Sequence, residues 1–245
     1  MTNQPVPYTG SALLFVASRP RARGGQDDGL MLPRPRTRRL IQLFAGLVLY
    51  GVSDGMLLLS GLGVDPWDVF HQGLSRRTGL AVGTWVIVVG ALVLLLWIPL
   101  RQRPGLGTLA NAVVIGLVIN LVLVIAPVPH ALPVQFALML GGVGLNGLAT
   151  GAYIGAGLGP GPRDGLMTGF AARGHSLRLV RTILEVIVLV AGWLLGGTVG
   201  LGTVVYALGI GPLAQVFVPM LSVDRGKQAP GRPSHSVAEP APRAN

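Results

Sequence analysis

Of the 245 residues, 51% are hydrophobic and only 11% are charged, against roughly 25% charged in a soluble domain. The formal charge of +10 could suit nucleic acid, but nothing shows the aromatic interleaving that single-stranded nucleic acid needs. Cysteine is absent, which excludes disulfides, thiolate metal sites and cysteine nucleophiles.

The charge is concentrated at the ends. Residues 1–39 carry seven Arg against two Asp, and residues 223–245 carry four basic against two acidic residues. Basic tails around apolar runs mark cytoplasmic retention and favour anionic lipid headgroups. Residues 1–39 read as a disordered tail, as do residues 222–245. The run Ala12 to Ala17 is too short to span a bilayer and makes a poor signal peptide. Met31, just before the basic stretch Arg34 to Arg39, is an alternative start to Met1.

Six apolar stretches follow, near 40–60, 81–100, 108–126, 134–156, 179–195 and 203–221, each about the length of a membrane-crossing helix. The expected fold is an all-α polytopic transmembrane bundle over residues 40–221. Arg101 and Arg103 mark the second loop, and Arg163, Arg173 and Arg178 the fourth. Both termini are therefore expected in the cytoplasm of a bacterial inner membrane. Arg76 and Arg77 in the first loop break that rule.

One stretch occurs twice. Gly61 to Gly73 reads GLGVDPWDVFHQG and Gly157 to Gly169 reads GLGPGPRDGLMTG, aligned at an offset of 96 residues. Gly46, Leu49, Gly51 and Gly55 match Gly142, Leu145, Gly147 and Gly151, while Gly105 to Thr108 match Gly200 to Thr203 at an offset of 95. The chain thus reads as two repeats, about 40–126 and 134–221. Three spans in each would place the second upside down, as in many transporters.

The repeated loops carry the candidate site. Pro66 and Pro162 can begin helices, placing Asp68 and Asp164 in first turns, where a carboxylate is favoured. Each loop is either an interfacial helix, with Trp67 at headgroup level and the aspartate as cap, or a re-entrant half-helix lining a polar path. Arg163, adjacent to Asp164, either anchors a cytoplasmic loop or holds an anionic group. Arg181 and Glu185 share a helical face and can form an ion pair within the fifth span. Asp54, matched by Thr150 in the repeat, is a weaker candidate. Thr108 and Thr203 read as helix N-caps. Asp68 and His71 share a face, but the other histidines are scattered and no metal spacing emerges. No nucleophile–base set is visible, so neither an enzyme nor a cofactor is expected.

The Pro66-Trp67-Asp68 stretch, the GPRDGLM run from Gly161 to Met167, the Arg181 and Glu185 positions, and the pattern Gly196-Gly197, Gly202-Thr203 and Gly211-Pro212 resemble the YczE/YitT-like family of bacterial integral membrane proteins, nearest its YczE branch. The resemblance covers residues 40–221. It implies a multispan inner-membrane protein and directs interest to Pro66, Asp68, Arg163, Asp164, Arg181 and Glu185, without naming a substrate. The leading expectation is a transporter of a small solute or ion, with Asp68, Asp164, Arg163 and the Arg181–Glu185 pair along its path. The alternative is a membrane interaction or regulatory protein that packs against a partner protein or a second copy.

Overall fold

The structure, a computed structural model, describes residues 34–223; of the expected tails 1–39 and 222–245, residues 1–33 and 224–245, with the two start positions, lie outside the described residues. Eight helices follow in order: α1 (Arg34–Ser60), α2 (Pro66–Thr78), α3 (Val82–Leu100), α4 (Leu106–Ile125), α5 (Leu132–Gly155), α6 (Pro162–Ala171), α7 (Leu177–Leu194) and α8 (Leu201–Leu221). The six expected spans are α1, α3, α4, α5, α7 and α8, with boundaries within two residues of expectation except at the first. There α1 starts at Arg34, so residues 34–39, expected in the tail, form its first turns.

Five of these helices (all but α7) are long and apolar enough to cross a membrane. The 18-residue α7 carries Arg178, Arg181 and Glu185. The short α2 and α6 are the two repeated stretches, and both begin at their proline.

Glycines set the packing. Gly46 lies against Ala152 and Tyr153, whereas Gly142 lies against Ser53 and Leu57, so α1 and α5 run antiparallel. Gly51 and Gly55 meet Val118 and Val122, which makes α1 parallel to α4; Gly147, Gly151 and Gly155 meet Leu213, Phe217 and Leu221, which makes α5 parallel to α8. Small residues four apart let helix backbones approach closely where lipid supplies no hydrophobic drive. At Gly83 and Gly116, α3 and α4 touch so closely that an added Cβ on either would overlap the other's carbonyl oxygen. By contrast, α7 and α8 scarcely touch.

The repeated loops are held by matching bonds. The Gly107 amide at the start of α4 donates to the Leu158 carbonyl (2.9 Å), and the Gly202 amide at the start of α8 donates to the Leu62 carbonyl (2.8 Å). Gly63 and Gly159 occupy equivalent positions in the two loops, at φ 111° and 122°, and press against residues 200–203 and 105–108 respectively. Only glycine combines that dihedral with so close an approach.

Thr108 and Thr203 are third residues of their helices rather than N-caps. Their hydroxyls reach back to the amides of Gly105 (3.1 Å) and Gly200 (3.3 Å).

The positions of the arginines follow from these directions. Arg39 donates to the Ala156 carbonyl and Arg173 to the Pro99 carbonyl, so the starts of α1 and the ends of α3, α5 and α6 share one end of the bundle. Arg76 and Arg77 lie at the other end. There Arg76 donates to the Gly196 carbonyl and to Thr198 Oγ1, and Arg77 donates to the Leu195 carbonyl. Cations are favoured at a helix C-terminus, and here they meet the carbonyls that close α7.

Candidate functional site

Two half-helices meet inside the bundle. Asp65 caps α2, its Oδ1 accepting from the amides of Trp67 (2.9 Å) and Asp68 (3.2 Å). Asp65 and Asp68 lie beside Asp54, which is six residues back from the end of α1, or about 9 Å along the helix axis. At the other end of α2, Gly73 meets Gly192 and Leu195 near the end of α7. The loop after α1 therefore dips into the bundle, and α2 runs back out to the end it came from.

The helix α6 enters oppositely. Trp97 Nε1 donates to the Pro162 carbonyl (3.1 Å) and Gly169 packs on Leu100, so α6 runs toward the end of α3. Trp67, expected at headgroup level in the interfacial alternative, is only 6% exposed.

Arg163 joins the halves. From the first turn of α6, its Nη1 lies 3.6 Å from Asp65 Oδ1 and its Nη2 3.9 Å from Asp68 Oδ1. Its guanidinium also lies 5.1 Å from the centre of the Trp67 ring, within cation–π range. Asp164 points elsewhere, accepting from the Tyr153 hydroxyl at 2.6 Å. His71 Nδ1 lies 3.0 Å from Asp68 Oδ1.

A second network extends from Asp54. Asn146 Nδ2 donates to Asp54 Oδ1 (2.8 Å) and to Ser53 Oγ (2.9 Å), and the Tyr206 hydroxyl donates to Asn146 Oδ1 (3.0 Å). Ser53, Asp54, Asp68 and Asn146 have no exposed surface, and Asp65 and His71 have almost none.

Of the expected site residues, the structure thus brings Asp54, Asp68, Arg163, Pro66 and Pro162 to one centre. Asp164 lies at its edge. The expected ion pair between Arg181 and Glu185 forms at 2.8 Å, but its side chains are 48% and 33% exposed. At about 100° per residue it shares the face of α7 that carries Leu184, Val188 and Gly192 into the bundle, whereas Ile183, Val186 and Ile187 are exposed on the opposite face. An ion pair this exposed contributes about 0–1 kcal/mol, and leucine at both positions would keep the apolar packing of the helix. The double variant Arg181→Leu/Glu185→Leu should therefore unfold in detergent at or above the parent temperature. A lower unfolding temperature would show that the pair holds a contact within the bundle.

Sequence reasoning missed Asp65 and Asn146. The signal for Asp65 was present, because an acidic residue directly before a helix-starting proline is an N-cap pattern.

The fold defines a multi-pass helical membrane protein in contact with the lipid bilayer, with an ionic cluster enclosed among its helices. Residues 37–219 match the model of a family of unknown function, DUF6198, and the chain belongs to that family. It is 43% identical over 183 residues to an uncharacterized protein of Haemophilus influenzae, covering 74% of this chain and 84% of that one. It is 37% identical over 182 residues to the uncharacterized membrane protein YczE of Bacillus subtilis, covering 72% and 83%. Another Bacillus subtilis protein, the uncharacterized YyaS, is 30% identical over 183 residues, covering 72% and 90%. No solved structure matches the chain.

Proposed function

We propose that the chain is a transporter of a small solute or ion in a bacterial inner membrane, with both termini cytoplasmic. Its two four-helix halves are read as an inverted repeat, and the polar path lies where they meet. One observation carries this reading. Arg163, from the half-helix of the second half, lies within ion-pair distance of Asp65 and Asp68 from the half-helix of the first, and both acids are buried. Buried ionisable groups at membrane depth are expensive and mark ion or substrate paths. As scaffolding alone, they could be replaced by apolar packing at no loss. Broken helices meeting between repeats are also where secondary transporters bind their cargo.

The test is flux through the full chain reconstituted in liposomes and screened on a supported membrane for currents carried by protons, sodium, potassium and small organic ions. A current is expected from the parent protein, and its loss from Asp68→Asn. Undiminished current from folded Asp68→Asn would remove the cluster from the path.

The exposed, apolar outer face of α7 favours a second reading, in which the protein assists a membrane partner. A partner co-purifying in fixed ratio, with no current for any ion, would put that reading ahead.

A further inference from the structure

We propose that Asp54, Asp65 and Asp68 form a binding site for one hard metal cation, either sodium or a divalent ion of the magnesium or calcium type. The proposal deepens the transport reading and rests on it for the ion's role as cargo or coupling ion, although binding itself can be measured without flux.

Geometry supplies the first argument. Each aspartate offers an oxygen, and the three oxygens lie within 4.8 Å of one another. The three residues come from two elements, with Asp54 on α1 and the other two fixed at i and i+3 by the cap of α2.

The second argument is the state of the other oxygens. The Oδ1 atoms are occupied: that of Asp54 by Asn146, that of Asp65 by two amides and Arg163, and that of Asp68 by His71 and Arg163. Asp54 Oδ2, Asp65 Oδ2 and Asp68 Oδ2 are each fully enclosed with no hydrogen-bond partner. An enclosed carboxylate oxygen without a donor is costly, and three on neighbouring aspartates are costlier.

Charge is the third argument. When ionised, the three carboxylates face a single guanidinium. The positive ends of α2 and α6 add about half a charge each. Between one and two negative charges remain, which one monovalent or one divalent cation balances. A donor set made only of oxygen suits hard cations and disfavours copper or zinc. Because Asp54 belongs to α1 and the others to the re-entrant α2, sliding the two elements would dismantle the site. Occupancy and conformation are thereby linked.

The full chain would be purified in detergent, stripped with a chelator and titrated with sodium, magnesium, calcium or manganese chloride against choline chloride at equal ionic strength. Thermal unfolding and calorimetry give the readout, and manganese paramagnetic resonance counts ions on the unmodified protein. A saturable rise in unfolding temperature with one ion per chain is expected. Asp54→Asn, Asp65→Asn and Asp68→Asn should each weaken binding about tenfold or more, as loss of a metal-supporting group does, while Glu185→Gln binds like the parent. Asn at position 65 still caps a helix, so that variant separates binding from folding.

Three results would overturn the proposal. One is no response to any metal ion, with unfolding sensitive to pH only while the aspartates are present, which means that protons fill the site. Another is undiminished binding by the triple Asn variant, which places the ion elsewhere. The third is flux without cation binding. Binding without flux would instead leave the site standing and remove the transport reading.

Discussion

Replacing Arg163 with glutamine is expected to lower stability by about 3–5 kcal/mol, the cost of leaving buried charge without its partner. The residue is the only arginine or lysine within ion-pair reach of Asp65 and Asp68 among the described residues, and it also covers the Trp67 ring. Glutamine keeps much of the bulk and some hydrogen bonding, so what it removes is chiefly the charge. Arg163→Lys keeps the charge but loses the planar fork that spans two carboxylates and stacks on an indole, and should fall between the parent and glutamine. The deciding measurement is the double variant Arg163→Gln/Asp65→Asn. Removing one carboxylate restores part of the charge balance, and Asn preserves the cap, so the double variant should unfold at a higher temperature than Arg163→Gln alone. Additive losses would mean that the two side chains are not coupled, and the cluster would then be a set of separate caps.

How much of this centre could be read in advance depended on what each residue does locally. The long helices were legible because membrane depth fixes their length and leaves a continuous apolar run. The start of α1 was not, because Arg34 to Arg39 are basic, yet arginine is a good helix former and simply extends the helix out of the apolar stretch. Pro66 and Pro162 announced the short helices, and the repeated aspartates announced the first turns. Asp54 and Asn146 could not be paired from the sequence, since their contact depends on the antiparallel register of α1 and α5. That register is set by where glycines allow backbones to meet.

Arg181 and Glu185 were legible from their spacing. Their spacing gave the ion pair, and at about 100° per residue that pair shares the inner face of α7 with Leu184, Val188 and Gly192, opposite the exposed Ile183, Val186 and Ile187. Spacing alone does not give how open that face stays: α7 and α8 scarcely touch, so the two side chains remain 48% and 33% exposed. The two halves also differ in what they bring. Asp54, Asp65 and Trp67 stand where the second half has Thr150, Gly161 and Arg163. A nearly symmetric frame thereby holds an acidic set on one side and its counter-charge on the other.

The frame itself should fail at Gly63. Alanine there must adopt φ near 111°, a region costing about 1–3 kcal/mol for a residue with a Cβ. The new methyl would also stand 2.7 Å from the Gly200 amide nitrogen and 2.8 Å from Thr203 Oγ1. Neither atom can yield cheaply: the first is backbone, and the second is tied to the start of α8. Overpacking adds about 1–3 kcal/mol more, so Gly63→Ala is expected to be among the most damaging single methyl additions in the loop. Gly61, two residues earlier, provides the control. It too has a positive φ of 66°, but an added Cβ meets nothing within 4 Å, and asparagine tolerates that left-handed geometry. Gly61→Asn should therefore stay folded in detergent with only a small drop in unfolding temperature, while Gly63→Ala loses the monodisperse species. Equal tolerance at both positions would mean that the loop does not press against the start of α8. The re-entrant placement of Asp65 and Asp68, which depends on that contact, would then have to be abandoned.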